Sequence, residues 1–388
     1  MASDEIDLSE ASLLAEAERA TGLRDFGGDD FRPGLRALLD TYDGSARLSA
    51  RGRKSTRRRL VELLANRLRI ADTLRRHPEI RDRPIRRPVY LTGLPRTGTS
   101  ALFNLLAADP ASRPLLLWEA RNPTPGEIAA PGQPDPRMVA LAQALERARQ
   151  QAPDFWRIHD ARADGPEECV ELLAHTLSSV QGGIEVLMPP YDAWFQARDP
   201  RPAYAYYGDL LRMLDWQRPG ARWLLKSPAH LWALDVLVEM FPDVCIIQTH
   251  RDPVEVVGSY CSMVEALMSI REAVDPRAFG PTVLEYLARS VERAMAARAA
   301  APPRHFVDVD YRELMRDPVA AAERVHRAFE LPLDEATAAA LRAHAGAHPP
   351  NRHGKHDYAL ERYGLTAAAV TDRLAAYVER HGLTRQEQ

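Results

Sequence analysis

The segment from Pro88 to Leu106 constrains the fold of this chain more than any other stretch. It runs from an apolar, strand-like sequence through a glycine-bounded loop into an apolar repeat with helical spacing. In that order of elements, the backbone N–H groups of the loop and the positive end of the helix point at one spot, where a phosphate group binds well. A simple connecting turn is the alternative, but six consecutive loop residues supply a cation, three hydroxyl groups and a glycine. We therefore predict an α/β fold with a phosphate-binding loop.

The spacing of the loop glycines also matches the Walker-type phosphate loop, in which a lysine grips the β- and γ-phosphates. Gly93 and Gly98 have that spacing, but Thr99 stands where the lysine is expected. Without the lysine, the loop favours a nucleotide with a single 5′-phosphate group, and Arg96 is the nearby cation.

Four motifs in this sequence resemble those of one enzyme family. The loop at 94–100 looks like the 5′-phosphosulfate loop of sulfotransferases that use 3′-phosphoadenosine 5′-phosphosulfate (PAPS). Residues 223–230 are similar to the family's strand that ends in a Leu-Lys-Ser-Pro turn, 245–253 to its 3′-phosphate segment, and 310–318 to a tyrosine-containing turn near the adenine. The match spans about 86–365 and is closest to a bacterial branch that also resembles tyrosylprotein sulfotransferases at the loop. This resemblance implies a P-loop-like central parallel sheet flanked by helices.

The resemblance also implies a nucleotide site with two anion-binding parts, because the cofactor and its product 3′-phosphoadenosine 5′-phosphate (PAP) carry a second phosphate. Arg251 precedes a helix-start signal, and helical spacing places Ser259 two turns on. The donor fork of an arginine suits a 3′-phosphate, although pairing with a surface carboxylate is the alternative. The cofactor-binding residues implied by the motifs are Pro95, Arg96, Thr97, Gly98, Thr99, Ser100, Arg251, Ser259 and Tyr311.

Two cations are predicted to act on the transferred group. Lys226 ends an apolar strand-like run, so it should emerge at the carboxyl edge of the sheet, where open α/β sheets bind ligands. Lys226 and Arg96 would stabilise the bridging oxygen and the sulfuryl group, whereas an ordinary solvated lysine is the alternative for Lys226. The family needs no metal, and the strand-like run at 244–248 carries no Walker-B aspartate for magnesium.

The general base has three candidates. Glu119 is the first choice, because tyrosylprotein sulfotransferases carry a catalytic glutamate at a similar distance from the loop, and the neighbouring Trp118 favours a partly desolvated carboxylate. His230 is the second, since histidine ordinarily titrates near neutral pH. Glu167 and Glu168 are the third, with stabilisation of a helix N-terminus as their alternative role.

A basic segment at 348–365 contains two further candidates for the 3′-phosphate, Arg352 and Lys355. Many sulfotransferases place a basic glycine-containing loop there, but this chain lacks the family's common Arg-Lys-Gly string. A solvated basic loop is the alternative.

The expected organisation is a helical N-terminal region at 1–85 and a sulfotransferase α/β domain at 86–388. Parallel strands are predicted at 88–92, 222–226, 244–249 and 305–309, and a helical insertion rich in Pro, Trp and Tyr at 110–220. Tyrosines at 204, 206 and 207 and the aromatic run at 191–195 suit either a wall for a hydrophobic acceptor or plain helix packing.

Charge and cysteine content limit the partners and the cellular compartment that we expect for this protein. The net charge of −3 argues against bulk nucleic-acid binding. Residues 51–87 hold fourteen Lys and Arg against four Asp and Glu, while residues 1–43 hold eleven Asp and Glu against four Arg. Such segments form solvated helix faces, pair with each other or across a homodimer, or present a membrane-surface patch for acidic lipid headgroups. Three cysteines without metal-ligand spacing read as buried thiols, and with neither a signal sequence nor a long apolar run we expect a cytoplasmic protein.

The sequence therefore predicts a PAPS-dependent sulfotransferase that moves a sulfuryl group to a hydroxyl of a small hydrophobic acceptor. Lipids, terpenoid quinones, steroids and polyketides are the acceptor classes in view. A P-loop nucleotide-dependent phosphotransferase is the rival enzyme, and a catalytically silent nucleotide-binding or membrane-surface scaffold is the rival outside enzymes.

Overall fold

The structure of the protein is a computed structural model. In it, the chain forms two compact units. The first comprises Met1–Pro84, Leu116–Pro219 and Ala266–Val274, and the second comprises Ile85–Leu115, Gly220–Glu265 and Asp275–Gln388. The residues described are 6–44, 48–126, 132–151, 161–180, 188, 190–269, 275–348 and 359–383.

The second unit contains a parallel sheet of five strands, in the order β2-β3-β1-β4-β5. Its strands are β1 Val89–Gly93, β2 Ser112–Pro114, β3 Arg222–Lys226, β4 Cys245–His250 and β5 Phe306–Asp310. Every residue of β1 and β4 is buried, as expected for central strands of a parallel sheet that is covered on both faces. The predicted α/β class with a central parallel sheet is thus confirmed.

Helices account for most of the remaining described chain. They are α1 Glu10–Thr21, α2 Arg32–Asp43, α3 Ala50–Arg76, α4 Thr99–Leu106, α5 Leu117–Arg121, α6 Pro136–Gln151, α7 Cys169–Leu173, α8 Tyr191–Ala197, α9 Arg201–Gln217, α10 Leu234–Met240, α11 Pro253–Ser269, α12 Pro276–Ala300, α13 Tyr311–Arg316, α14 Pro318–Ala328, α15 Glu335–Ala347, α16 Ala367–Arg373 and α17 Ala375–His381. Short 3₁₀ helices lie at Pro78–Asp82, Ala174–Thr176, Pro228–Trp232, Pro303–His305 and Leu360–Tyr363.

The apolar core of the second unit lies between the sheet and α4, α14 and α15. Leu91 of β1 and Val307 of β5 pack there with Leu105, Val325 and Leu341 from the three helices. Burial of such side chains is the main favourable contribution to folding, at about 1.5–3 kcal/mol each. This packing fixes the sheet beneath the loops that follow its strands.

In the first unit, the acidic and basic segments pair with each other. Arg57 of α3 pairs with Glu16 of α1, and Arg53 of α3 pairs with Asp43, the two charged groups being 2.9 Å apart. The side chain of Arg67 is buried, pairs with Asp30 and donates from Nε to the Phe26 carbonyl oxygen. Pairing within the chain therefore accounts for part of the uneven charge.

The aromatic residues of the insertion pack in the interior of the first unit. Tyr191, Phe195, Tyr204 and Tyr207 are at most 2% exposed, and Tyr204 contacts Tyr207 edge to face. Plain helix packing, one of the two roles predicted for these side chains, describes these positions. All three cysteines are buried free thiols, as predicted. No helix within the described ranges has both the length and the apolarity that crossing a membrane requires.

Candidate active site

Four loops of the second unit leave the sheet from the same edge. The strands β1, β3, β4 and β5 are parallel, and their registers pair Leu91 with Lys226, Gly93 with Thr249 and His250 with Asp310. Because parallel strands end at a common edge, the residues that follow them converge. The predicted residues Arg96, Lys226, Arg251 and Tyr311 all lie at the end of one of these strands or in the segment after it.

The loop after β1 has a backbone that a side chain at its glycines would disturb. Gly93 and Gly98 have φ values of 138° and 86°, in the left-handed region that favours glycine. A Cβ atom on Gly98 would lie 3.0 Å from side-chain atoms of both Leu314 and Tyr311. The loop is thus packed closely against α13, which begins at Tyr311.

Helix α4 begins directly after this loop with Gly98 as its N-cap. No side chain in the described part of the chain caps this helix. Thr97 ties the loop to itself and to β4. Its hydroxyl donates to the Leu94 carbonyl oxygen at 2.6 Å and contacts the hydroxyl of Thr249 at 2.6 Å. N–H groups of an uncapped first turn, next to a cation, form a good anion site.

Lys226 is the cation at the end of β3. Its side chain is buried, with the residue 5% exposed, and Nζ donates to the Ser100 hydroxyl at 3.2 Å. The alternative of an ordinary solvated lysine is therefore wrong. A buried ammonium beside the first turn of α4 adds positive charge where charge is least screened by water.

A hydrogen bond connects the side chain of Arg251 to the backbone of Arg96 in the loop. The Nε atom of Arg96 donates to the hydroxyl of Ser259 at 3.0 Å, and Nη1 of Arg251 donates to the Arg96 carbonyl oxygen at 3.0 Å. Arg96 has a φ of 68°, which costs a non-glycine residue about 1–2 kcal/mol. The bond from Arg251 helps to hold this strained backbone.

The guanidinium of Arg251 has two further neighbours. It lies over the Tyr311 ring, 4.1 Å from the ring centroid. Its Nε and Nη2 atoms contact Oε2 of Glu255, one helical turn on, at 2.9 and 2.5 Å. Glu255 was not among the predicted residues, although its i+4 spacing on a helix that starts after Arg251 was a usable signal.

Glu119 belongs to the first unit and is almost fully buried, at 1% exposure. Its carboxylate accepts hydrogen bonds from Nε and Nη2 of Arg218 at 3.0 and 3.1 Å, and from the Leu116 backbone N–H at 3.1 Å. Arg218 was missed by sequence reasoning, since no local pattern connects it to Glu119. The Arg218 guanidinium thus lies against both oxygens of this carboxylate.

The segment around the third base candidate runs beside α5. The N–H groups of Leu117 and Trp118 donate to the Gly165 and Ala163 carbonyl oxygens, each at 3.1 Å. Glu167 is 8% exposed, and its carboxylate accepts the Glu168 backbone N–H at 2.8 Å. The backbone of this segment therefore runs beside α5, the helix that carries Glu119.

The reason for naming His230, titration near neutral pH, is wrong for this position. The imidazole is completely buried on the 3₁₀ helix after Lys226 and contacts Tyr90 edge to face at 5.0 Å. Burial disfavours the charged ring and lowers the pKa of His230 to about 3. A group so weakly basic is a poor general base at neutral pH.

One cluster of potential metal ligands lies in the described part of the second unit, formed by His250, Asp308 and His381. The Asp308 oxygens bind Arg298 at 2.5 and 2.9 Å, and His250 contacts Asp308 at 2.7 Å. The Tyr377 hydroxyl contacts the other nitrogen of His250 at 2.9 Å. We assign the cluster to bracing the end of β4, next to Arg251. Arg352 and Lys355 lie outside the described residues.

The fold and the phosphate loop define the class of protein to which this chain belongs. A family model described as "Sulfotransferase family" matches residues 88–335. The chain therefore belongs to the sulfotransferase family, as predicted, and is an enzyme that takes a sulfuryl group from a sulfate donor. The finer resemblance to tyrosylprotein sulfotransferases stays a prediction.

Mycobacterial sulfotransferases are among the relatives. The structure is similar to the crystal structure of sulfotransferase STF1 from Mycobacterium tuberculosis H37Rv, with a TM-score of 0.84. The two sequences are 32% identical, and the match covers 96% of this chain and 99% of that one. The chain is 28% identical to the crystal structure of sulfotransferase STF9 from Mycobacterium avium, with a TM-score of 0.89 and coverage of 98% and 99%. A match of 24% identity over 307 residues, 77% of this chain and 76% of the relative, is to omega-hydroxy-beta-dihydromenaquinone-9 sulfotransferase Stf3 of Mycobacterium bovis.

Proposed function

We propose that the sulfate donor of this enzyme is PAPS and that the loop at 94–100 binds its 5′-phosphosulfate group. The observation that carries this proposal is the uncapped start of α4 beside the buried ammonium of Lys226. Glycine suits position 98 of this loop, because its φ is 86° and a Cβ atom there would lie 3.0 Å from side-chain atoms of Leu314 and Tyr311. PAPS supplies the sulfuryl group, and the residues of the chain bind and orient it.

Arg251, Ser259 and Tyr311 form the proposed site for the 3′-phosphate and the adenine side of the nucleotide. Arg251 offers a fork of donors that suits phosphate, and its contacts with the Arg96 carbonyl oxygen and the Tyr311 ring hold it beside the loop. Arg352 and Lys355 are proposed as additional cations for the same phosphate on the resemblance alone.

Lys226 and Arg96 are proposed to stabilise negative charge on the bridging oxygen and the sulfuryl group. Both are cations that donate to hydroxyls, Lys226 to Ser100 at the start of α4 and Arg96 to Ser259 on α11, so they need little reorganisation when charge shifts. Glu119 is proposed as the base that takes the proton of the acceptor hydroxyl, once its pair with Arg218 loosens. Glu167 and Glu168 are the alternatives, and burial counts against His230.

The proposed acceptor is a hydroxyl of a hydrophobic, lipid-like molecule. The relative Stf3 is named for a hydroxylated dihydromenaquinone, a terpenoid quinone. Terpenoid quinones are one of the acceptor classes that the sequence predicts, so a polyprenyl alcohol or hydroxylated quinone is the first acceptor to test.

The test is calorimetric titration of the purified protein with PAP, and with ATP plus magnesium in parallel. We expect PAP to bind with micromolar or tighter affinity in the absence of any metal. Binding of magnesium-ATP without PAP binding would overturn the proposed donor. Sulfuryl transfer from labelled PAPS to a panel of hydrophobic alcohols then tests the acceptor, and transfer to polar alcohols alone would contradict the lipid-like class.

A further inference from the structure

The guanidinium of Arg251 has a partner at each of its nitrogen atoms. Nη1 donates to the Arg96 carbonyl oxygen at 3.0 Å, while Nε and Nη2 contact one oxygen of Glu255 at 2.9 and 2.5 Å. The ring of Tyr311 covers one face. A phosphate that binds this guanidinium side-on must therefore displace a group that is already there.

Glu255 is the partner that can leave. The Arg96 oxygen belongs to the backbone of the phosphate loop, and Tyr311 contacts the face of the guanidinium rather than its donor atoms. The Glu255 side chain is 44% exposed and lies in the first turn of α11, so it can rotate into water. A phosphate carries more negative charge than a carboxylate and has three terminal oxygens, which allows it to replace Glu255 on the fork.

We propose that Glu255 occupies the 3′-phosphate position on Arg251 in the free enzyme and thereby lowers the affinity for nucleotides that carry a 3′-phosphate. This inference rests on the proposed PAPS site. Two physical costs follow from it. The Arg251–Glu255 pair must break when the nucleotide binds, and the displaced carboxylate remains close to a phosphate of the same sign.

The consequence is selective for one part of the ligand. A nucleotide without a 3′-phosphate leaves the Arg251–Glu255 pair intact and incurs neither cost. Glu255 thus affects PAPS and PAP but not adenosine 5′-phosphate (AMP). Weaker holding of PAP favours release of the product after transfer, since most differences in affinity among related complexes reside in the dissociation rate.

The experiment compares PAP and AMP binding to the wild type, Glu255→Gln and Glu255→Ala by calorimetry. Glu255→Gln keeps the shape of the side chain and removes its charge, while Glu255→Ala removes the contact. We expect both variants to bind PAP about fivefold more tightly, which corresponds to ~1 kcal/mol, and AMP with unchanged affinity. The matched control is Glu323→Gln, which removes the same charge from another i,i+4 pair, with Arg327 at 3.5 Å on α14. It should bind PAP like the wild type.

Several results would overturn the inference. Unchanged or weaker PAP binding by the two Glu255 variants would show that the pair does not compete with phosphate. An equal gain for AMP, or an equal gain in Glu323→Gln, would assign the effect to overall charge. Wild-type protein that fails to bind PAP would overturn the proposed donor and this inference together. Wild-type binding with unchanged variants would overturn the inference alone.

Discussion

The cations at the sheet edge and the carboxylates of the first unit are held in different ways. Arg96 and Lys226 contact hydroxyl groups, and Arg251 contacts a carboxylate on the surface, all of which a phosphate or sulfate can replace. Glu119 is buried and accepts two hydrogen bonds from Arg218, whose side chain is 44% exposed, and a buried carboxylate without such a partner is costly. A phosphate or sulfate can thus itself displace the partners on the nucleotide side, including Glu255 from Arg251, whereas we propose that the base is released from Arg218 before it acts.

Replacing the proposed base should give the largest effect on turnover. We expect Glu119→Gln to lower kcat about a thousandfold, because the variant lacks the proton acceptor. PAP affinity should stay near that of the wild type, because the substitution removes no contact with the nucleotide. Steady-state kinetics with the best hydrophobic alcohol, together with PAP calorimetry, measures both quantities.

Arg218→Gln is the companion variant, since it breaks the same ion pair from its exposed partner. If Glu119 is the base, Arg218→Gln should retain far more turnover than Glu119→Gln. Equal losses of thermal stability in both variants, with turnover close to wild type, would mean that the pair is purely structural. In that case Glu119 would have no catalytic role, and the first unit would not supply the base.

Removing the buried cation should give the next largest effect. Lys226→Met keeps the apolar stem and loses the ammonium, so we expect kcat to fall about a hundredfold with a smaller change in PAP affinity. The ammonium that the substitution removes lies over the Phe103 ring, 5.6 Å from the ring centroid, and methionine fills much of the same buried space. A turnover within a few-fold of the wild type would remove Lys226 from the transferred group.

Removing the arginine of the proposed 3′-phosphate site should affect binding rather than chemistry. Arg251→Ala loses a charge-assisted contact, so PAP binding should weaken by about 2 kcal/mol, or roughly thirtyfold. AMP serves as the internal control, because it lacks the group that Arg251 binds. Equal weakening for both nucleotides would instead indicate a general disturbance of the loop, whose Arg96 carbonyl oxygen Arg251 supports.

The last prediction concerns the pH dependence of the free energy of unfolding rather than activity or binding. Burial lowers the pKa of His230 from 6.5 to about 3 in the folded protein, so the unfolded chain takes up this proton first as the pH falls. The contribution is present above about pH 6.5 and decreases toward pH 3, by about 2 kcal/mol between pH 7 and 5. His230→Gln should flatten the curve of unfolding free energy against pH over this range. His77→Gln, at a partly exposed ring, is the control, and an unchanged slope in His230→Gln would contradict the burial argument.

Sequence reasoning predicted the sheet edge well because its determinants are local. The strand ends, the glycines of the loop and the helix start after Arg251 are each encoded within about ten residues, and parallel topology then brings them together. The short β2 was missed, since Ser112–Pro114 has neither an apolar run nor an alternating pattern.

The partners of the charged groups could not be predicted in the same way. Glu119 and Arg218 belong to different helical elements far apart in the sequence, and only tertiary packing brings them together. The buried environment of His230 likewise includes Tyr90, which lies on β1, far earlier in the sequence. Side-chain pairing across such distances has no periodic signature, so the environment of a titratable residue is the last property that a single sequence reveals.

The position of β1 in the sheet has a consequence for how the protein is made. Among the described strands its neighbours are β3 and β4, so a segment that ends at Gly93 waits for partners that end at Lys226 and His250. At a synthesis rate of about 5–20 residues per second, the ribosome needs on the order of ten seconds to pass from one to the other. During that time an apolar strand has both edges unpaired, which invites capture by chaperones. The sheet position of the phosphate loop, which β1 carries, is thus fixed only after the ribosome has passed β3 and β4.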